Sequence, residues 1–206
     1  MKWVRVVMAL VMVAPLVVGV LSIRHAGAGE PTEQLKVQLE KVLKTVQDPA
    51  VRSQGKTAER RAIRKIAEDI FDFDDTARRT LGRHWEARTP AEREEFSKLF
   101  ADVFEHAYLS KVELYEGERF TYLGDTIEGN TATVRTRFAT RQGSQLGVDY
   151  RMHQRGSSGR WLVYDVLIEG VSLVDNYRNQ FNSVIQRSSY QDLVKRLKAI
   201  QAQIQG

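Results

Sequence analysis

Between Trp161 and Phe181 the chain reads WLVYDVLIEGVSLVDNYRNQF, and its hydrophobic period changes at one identifiable point. Trp161 to Ile168 is apolar at nearly every position, with Asp165 the single charge, which is the pattern of a strand covered on both faces. Glu169-Gly170 ends it. Ser172 then offers a helix N-cap with Asp175 three residues on, and Val174, Tyr177, Phe181 and Val184 follow at helical spacing. A doubly covered strand that feeds a striped helix requires a sheet with apolar material on both sides. What that material is decides the function.

The N-terminus supplies an address. Lys2 and Arg5 precede an uncharged run from Val6 to Leu21, and Ala26-Gly27-Ala28 forms a small-x-small cleavage pattern. Residues 1–28 therefore read as a cleaved secretory signal and residues 29–206 as a single domain; the uncharged run is shorter than the roughly 20 residues a spanning helix needs. Removing Lys2, Arg5 and Arg24 from 31 basic residues leaves 28 against 26 acidic ones, a net +2. A nucleic-acid partner then has no compositional support. The chain has no cysteine, so disulfides, thiolate metal sites, a cysteine nucleophile and lipidation at cysteine are all excluded.

The first half is helical. Leu35, Leu39, Val42, Leu43 and Val46 stripe a first helix behind Pro31, and Asp48-Pro49 stops it. Ile63, Ile66, Ala67 and Ile70 stripe a second, and a short third covers Asp75 to Leu81. The fourth opens on a capping box, Thr89-Pro90-Ala91-Glu92, and carries Phe96, Leu99, Phe100, Val103, Phe104, Ala107 and Tyr108 on one face. From Arg119 the period becomes two. Four strands follow with short turns at Gly129-Asn130, Gln142-Gly143-Ser144 and Gly156 to Gly159, and turns this short allow only an antiparallel meander. Two more helices close the chain, the last starting near Ser189. The expected class is α+β: a curved four-stranded antiparallel sheet packed by N-terminal and C-terminal helices.

Several constellations suggest chemistry. Asp72-Phe-Asp74-Asp-Thr76 matches the D-x-D-x-T pattern of aspartyl-nucleophile phosphatases, which need both carboxylates at the end of a buried parallel strand. Here the preceding RRAIRKIAEDIF is helix-periodic, and capping is the competing role. As a calcium loop the segment fails, with Ala77 at the sixth position and Arg83 at the twelfth. Gly170-Val-Ser172 resembles a nucleophile elbow, but Val174 replaces its second glycine. His84, His106 and His153 stand in separate elements without paired spacing, so no metal site is expected. Asp165, alone on a buried strand, is a candidate general base for a small isomerase-like pocket, or one half of a structural ion pair.

Two blocks of residues resemble the MlaC-type periplasmic phospholipid-carrier family, also called the toluene-tolerance family. One comprises Tyr164-Asp165-Val166, Glu169 to Val174, Asn176-Tyr177-Arg178 and Gln180-Phe181. The other runs through Phe71 to Phe73, Ala77-Arg78, Leu81-Gly82, Trp85, Thr89-Pro90 and Phe96. The resemblance implies a periplasmic lipid shuttle without covalent chemistry, cofactor or metal. Its partners would be an inner-membrane MCE-domain ABC transporter complex and an outer-membrane lipoprotein complex. Hopanoid-associated relatives share the pattern, so a hopanoid is an alternative cargo to a phospholipid.

Wetting two chains of about 16 carbons costs on the order of 20 kcal/mol, so such a carrier needs a dry apolar cavity. The expected lining is Phe96, Phe100, Phe104 and Tyr108 on the fourth helix and Tyr177 and Phe181 on the fifth. From the sheet it takes Phe120, Tyr122, Val134, Phe138, Val148, Tyr150, Val163 and Leu167. Arg135, Arg137, Arg141 and Arg151 would form a basic stripe on the opposite face. An enzyme acting through Asp165 or Asp72 and Asp74, and an adaptor that binds a partner helix in the apolar groove, are the competing functions.

Overall fold

The computed structural model describes residues 29–112, 119–139, 145–156 and 159–205. The expected signal segment, the turn at Gln142 to Ser144 and Arg141 lie outside the described residues. Among the described residues, seven α-helices and five strands are formed: α1 (Glu30–Gln47), α2 (Pro49–Ser53), α3 (Lys56–Ile70), α4 (Phe73–Leu81), α5 (Pro90–Val112), β1 (Arg119–Glu128), β2 (Thr131–Ala139), β3 (Gln145–Gln154), β4 (Trp161–Ile168), β5 (Val171–Ser172), α6 (Leu173–Arg187) and α7 (Tyr190–Gln205). A 3-10 turn, Gly82–His84, follows α4.

All strand pairs are antiparallel and the order is β1-β2-β3-β4-β5, as a meander demands. The fifth strand corrects the expected count of four. Glu169 and Gly170 both take positive φ, the two-residue hairpin geometry that returns a chain antiparallel, so Val171 and Ser172 pair with Ile168 and Leu167 before the helix begins. Two further corrections are local. Asp72 accepts the Asp75 N–H, which starts α4 at Phe73 rather than Asp75. Asp48 accepts the Ala50 N–H, so the stop at Asp48-Pro49 nucleates a short helix, α2.

Two bulges decide which side chains face inward. Between Tyr122 and Gly124 the register of β1 shifts by one residue, with Gly124 at φ +95°. Phe120 and Tyr122 thus share a face with Asp125 and Ile127, while Leu123 is left 52% exposed. A second shift, between Arg151 and Met152, makes Tyr164 the extra residue of β4. Val163, Val166 and Ile168 therefore share the inner face, and Asp165 and Leu167 the outer one. Leu167 is accordingly corrected: it does not stand beside Val163.

Helix α1 lies against β1, β2 and β4, with α3 beside it and also touching β4. At the other end α4 and α6 pack together, and both touch β4. This is why β4 is buried on both faces. Its free edge is covered too, by β5 at one end and by a parallel bridge from Phe71 to Val163 at the other. Behind these, α5 packs on α4 and α7. Its capping box is formed as the sequence predicts: Glu92 N–H donates to Thr89 Oγ1 at 3.2 Å, and Thr89 N–H to Glu92 Oε2 at 2.8 Å. A single apolar cluster runs from Leu35 and Val46 through Phe96, Phe100 and Phe104 to Val134, Tyr150, Val163 and Phe181.

Candidate functional site

The aromatic residues of α5 recur every four positions, so they stack along one face of the helix. Phe96 and Phe100 are parallel with centroids 6.2 Å apart, Phe100 and Phe104 stand at 5.8 Å, and Phe104 and Tyr108 at 4.9 Å. Helix α6 adds Tyr177 and Phe181. Tyr177 meets Phe100 edge-on at 5.3 Å, and Phe181 meets Phe96 edge-on at 5.7 Å. Six expected residues therefore form one continuous wall of rings. Phe71 and Phe73, stacked at 5.5 Å, extend it through edge contacts with Phe104. Site reasoning from the sequence missed this pair, although Phe71-Asp-Phe73 stands in one of the two resembling blocks.

On the sheet, Val134, Tyr150 and Val163 lie in the core and share the inner face. Phe120, Tyr122, Phe138 and Val148 share that face but are half-buried. Phe120 and Phe138 stack on one another at 5.1 Å, near the end of the sheet that leads to the residues outside the described set. Burial pushes the Tyr122 phenol up to about 12 and the Tyr150 and Tyr177 phenols higher still, so all three are neutral at any physiological pH. Apart from the buried carboxylate of Asp125, the wall and these inner-face residues present rings, aliphatic groups and uncharged hydroxyls.

Where the wall meets β4, Phe71, Thr76, Phe100, Phe104, Tyr164, Asp165, Val166, Leu173, Val174 and Tyr177 surround a space too narrow for a water-sized sphere. A groove of about 420 Å³ lies elsewhere, between α1, the end of α3 and the start of β4, where Glu33, Asp69 and Arg160 mix with Leu35, Val37 and Trp161. Its charged rim does not meet the demand for a dry, apolar lining.

Asp165 joins β4 to α6. Only 4% exposed, it accepts hydrogen bonds from Ser172 Oγ at 2.7 Å and Val174 N–H at 3.1 Å, and pairs with Arg151 at 3.2 Å. Ser172 Oγ in turn accepts the Asp175 N–H. Both carboxylate oxygens are thus committed to the turn and the first helical residues, which is the arrangement of a positioning group. Asp72 likewise caps α4 and contacts His153 Nε2 at 3.1 Å, while Asp74 is exposed in the first turn of α4. The two carboxylates do not form a pair at a strand end. Arg135 and Arg137 are exposed on the outer face, and Arg151 is drawn to Asp165. Among the described residues no group of three or more His, Asp or Glu is placed to hold a metal ion, and no helix is long and apolar enough to cross a membrane.

The model of the MlaC protein family matches residues 36–199, which takes in every element from α1 to α7. The chain belongs to the MlaC family. It is similar to the intermembrane phospholipid transport system binding protein MlaC of Haemophilus influenzae, at 19% identity over 123 residues. That match spans 58% of this chain and 58% of the relative's length. Among solved structures, it is similar to the phospholipid-binding protein from Ralstonia solanacearum in complex with a phospholipid, with a TM-score of 0.76 and 24% identity over 86% of this chain and all of that one. The likeness shows that the two share a fold.

Proposed function

We propose that this protein is a periplasmic carrier that holds the acyl chains of a phospholipid between the aromatic wall of α5 and α6 and the inner face of the sheet. The observation that carries this reading is the wall itself. Its members meet through ring contacts worth about 0.5–1.5 kcal/mol each, and hydrocarbon can replace the contacts among the phenylalanines without leaving a polar group unpaired. Family membership supports the same reading, as do the phospholipid named for the Haemophilus relative and the phospholipid bound in the Ralstonia structure. Removal of the chains from water drives loading between the wall and the inner-face residues Val134, Tyr150, Val163 and Val166. The headgroup stays in water at the mouth. Lipid then passes between an inner-membrane MCE-domain ABC transporter complex and an outer-membrane lipoprotein complex, and no bond is made or broken in the carrier.

Native mass spectrometry of protein purified from its own periplasm tests this. One phospholipid per chain is expected; lipid-free protein that also takes none from phospholipid vesicles overturns the reading, and a bound hopanoid overturns the choice of cargo. Phe104→Asp places a charge in the wall and is expected to lower lipid retention at least tenfold, while Arg135→Ala, on the outer face, leaves it unchanged. Equal effects would remove Phe104 from the lining.

A further inference from the structure

Asp125 is a buried carboxylate that no cation among the described residues pairs with. The bulge at Gly124 turns it to the inner face, where it is 4% exposed. Its Oδ2 receives three hydrogen bonds from the start of α1: Gly29 N–H at 3.0 Å, Thr32 N–H at 3.1 Å and Thr32 Oγ1 at 2.6 Å. Its Oδ1 has no hydrogen-bond partner among the described residues. An unsatisfied oxygen on a buried carboxylate is costly, and the positive end of α1's dipole lies against this one.

Gly29 is pressed against that same oxygen. A Cβ added to it would lie 2.5 Å from Oδ1 and 2.8 Å from Oδ2. Its φ of −89° is open to any residue, so glycine is required here by close approach alone. The residues just before it are Ala26-Gly27-Ala28, the cleavage pattern of the leader.

We propose that signal peptidase cuts between Ala28 and Gly29 and that the α-ammonium so created docks on Asp125, completing the α1–β1 joint only in the processed chain. In the cut, water adds across the peptide bond: the C–N bond breaks with its electron pair on nitrogen, the water oxygen bonds to the Ala28 carbonyl carbon, and the nitrogen takes one proton from the water and a second from the new Ala28 carboxyl group as it ionises. The Gly29 nitrogen then carries three donors in place of one, and a full charge. It already stands 3.0 Å from Oδ2, and an ammonium freed from the peptide plane can turn a further N–H toward Oδ1. A charge-assisted pair replaces a neutral amide contact. The pair also removes an electrostatic conflict, because an isolated ammonium at the N-terminus of α1 would oppose the positive end of the helix. With any side chain at position 29, the ammonium would be held off.

The first measurement is N-terminal sequencing of protein exported from the full-length precursor. Gly29 is expected as the first residue, and any other overturns the proposal. The second is acylation of the α-amine at neutral pH, read by peptide mass spectrometry. A docked ammonium is protonated and shielded, so labelling is expected to be about tenfold slower than in Asp125→Asn; equal rates overturn the proposal. A chain that retains Ala28 serves as a control with Asp125 intact. Its charge is displaced by one residue, about 3.8 Å, and its Tm is expected to fall by about 5 °C, whereas an unchanged Tm overturns the pairing.

Discussion

The β4–α6 and β1–α1 joints solve one problem in two ways. In each, a buried strand aspartate takes hydrogen bonds from the first residues of a helix, Asp165 from Ser172 and Val174 and Asp125 from Gly29 and Thr32. Asp165 lies seven and nine residues from its partners and has the guanidinium of Arg151 beside it. Asp125 lies more than ninety residues from its partners and keeps one oxygen unpartnered. The difference teaches that the short-range joint is complete within the chain as translated. The long-range joint lacks a cation among the described residues, and Gly29, the N-cap of its helix, is the residue that follows the expected cleavage site.

Asp165→Ala should have the largest effect on stability. It strands Ser172, the Val174 N–H and Arg151 at once, and a loss of about 4 kcal/mol in denaturant unfolding is expected. Asp125→Ala in a chain that begins upstream of Gly29 should cost about 2 kcal/mol, since hydrogen bonds are lost but no ion pair is broken. Equal costs would show that Arg151 adds nothing to the first joint.

A third carboxylate sharpens the contrast between paired and unpaired acids. Burial pushes Glu105 up to about 7, Arg64 opposes the shift, and Asp102 and Glu68 add to it. Its pKa in the folded protein is above the unfolded value of 4.5, so its contribution is fully present below about 4.5 and is lost as pH rises through 7. Glu105→Gln should therefore stabilise the protein at pH 8, by on the order of 1 kcal/mol, and flatten the dependence between pH 4.5 and 7. A parallel downward shift at every pH would reject this. The smallest effect is expected from Arg135→Ala, an exposed residue bonded to Thr126 at 2.5 Å, at under about 0.5 kcal/mol.

What was legible in the sequence was local. The period change after Ile168, the Ser172 cap, the Thr89–Glu92 box and the aromatic stripe of α5 all depend on residues within one or two turns of each other, and each is formed. The bulges at Gly124 and Tyr164 were not legible, because a bulge exists only relative to a partner strand. They turned Asp125 inward and separated Leu167 from Val163. Strand β5 escaped notice because two paired residues carry no period, and only the positive φ of Glu169 and Gly170 creates them.

By itself the sequence determined the order of elements, the antiparallel meander and the chemistry of the wall, because backbone periodicity and short turns leave few alternatives. Tertiary structure alone decided which rings touch, how narrowly they meet β4, and that Asp125 meets Gly29. Those outcomes depend on register and on packing between segments far apart in the chain, where one residue of slip exchanges inside for outside.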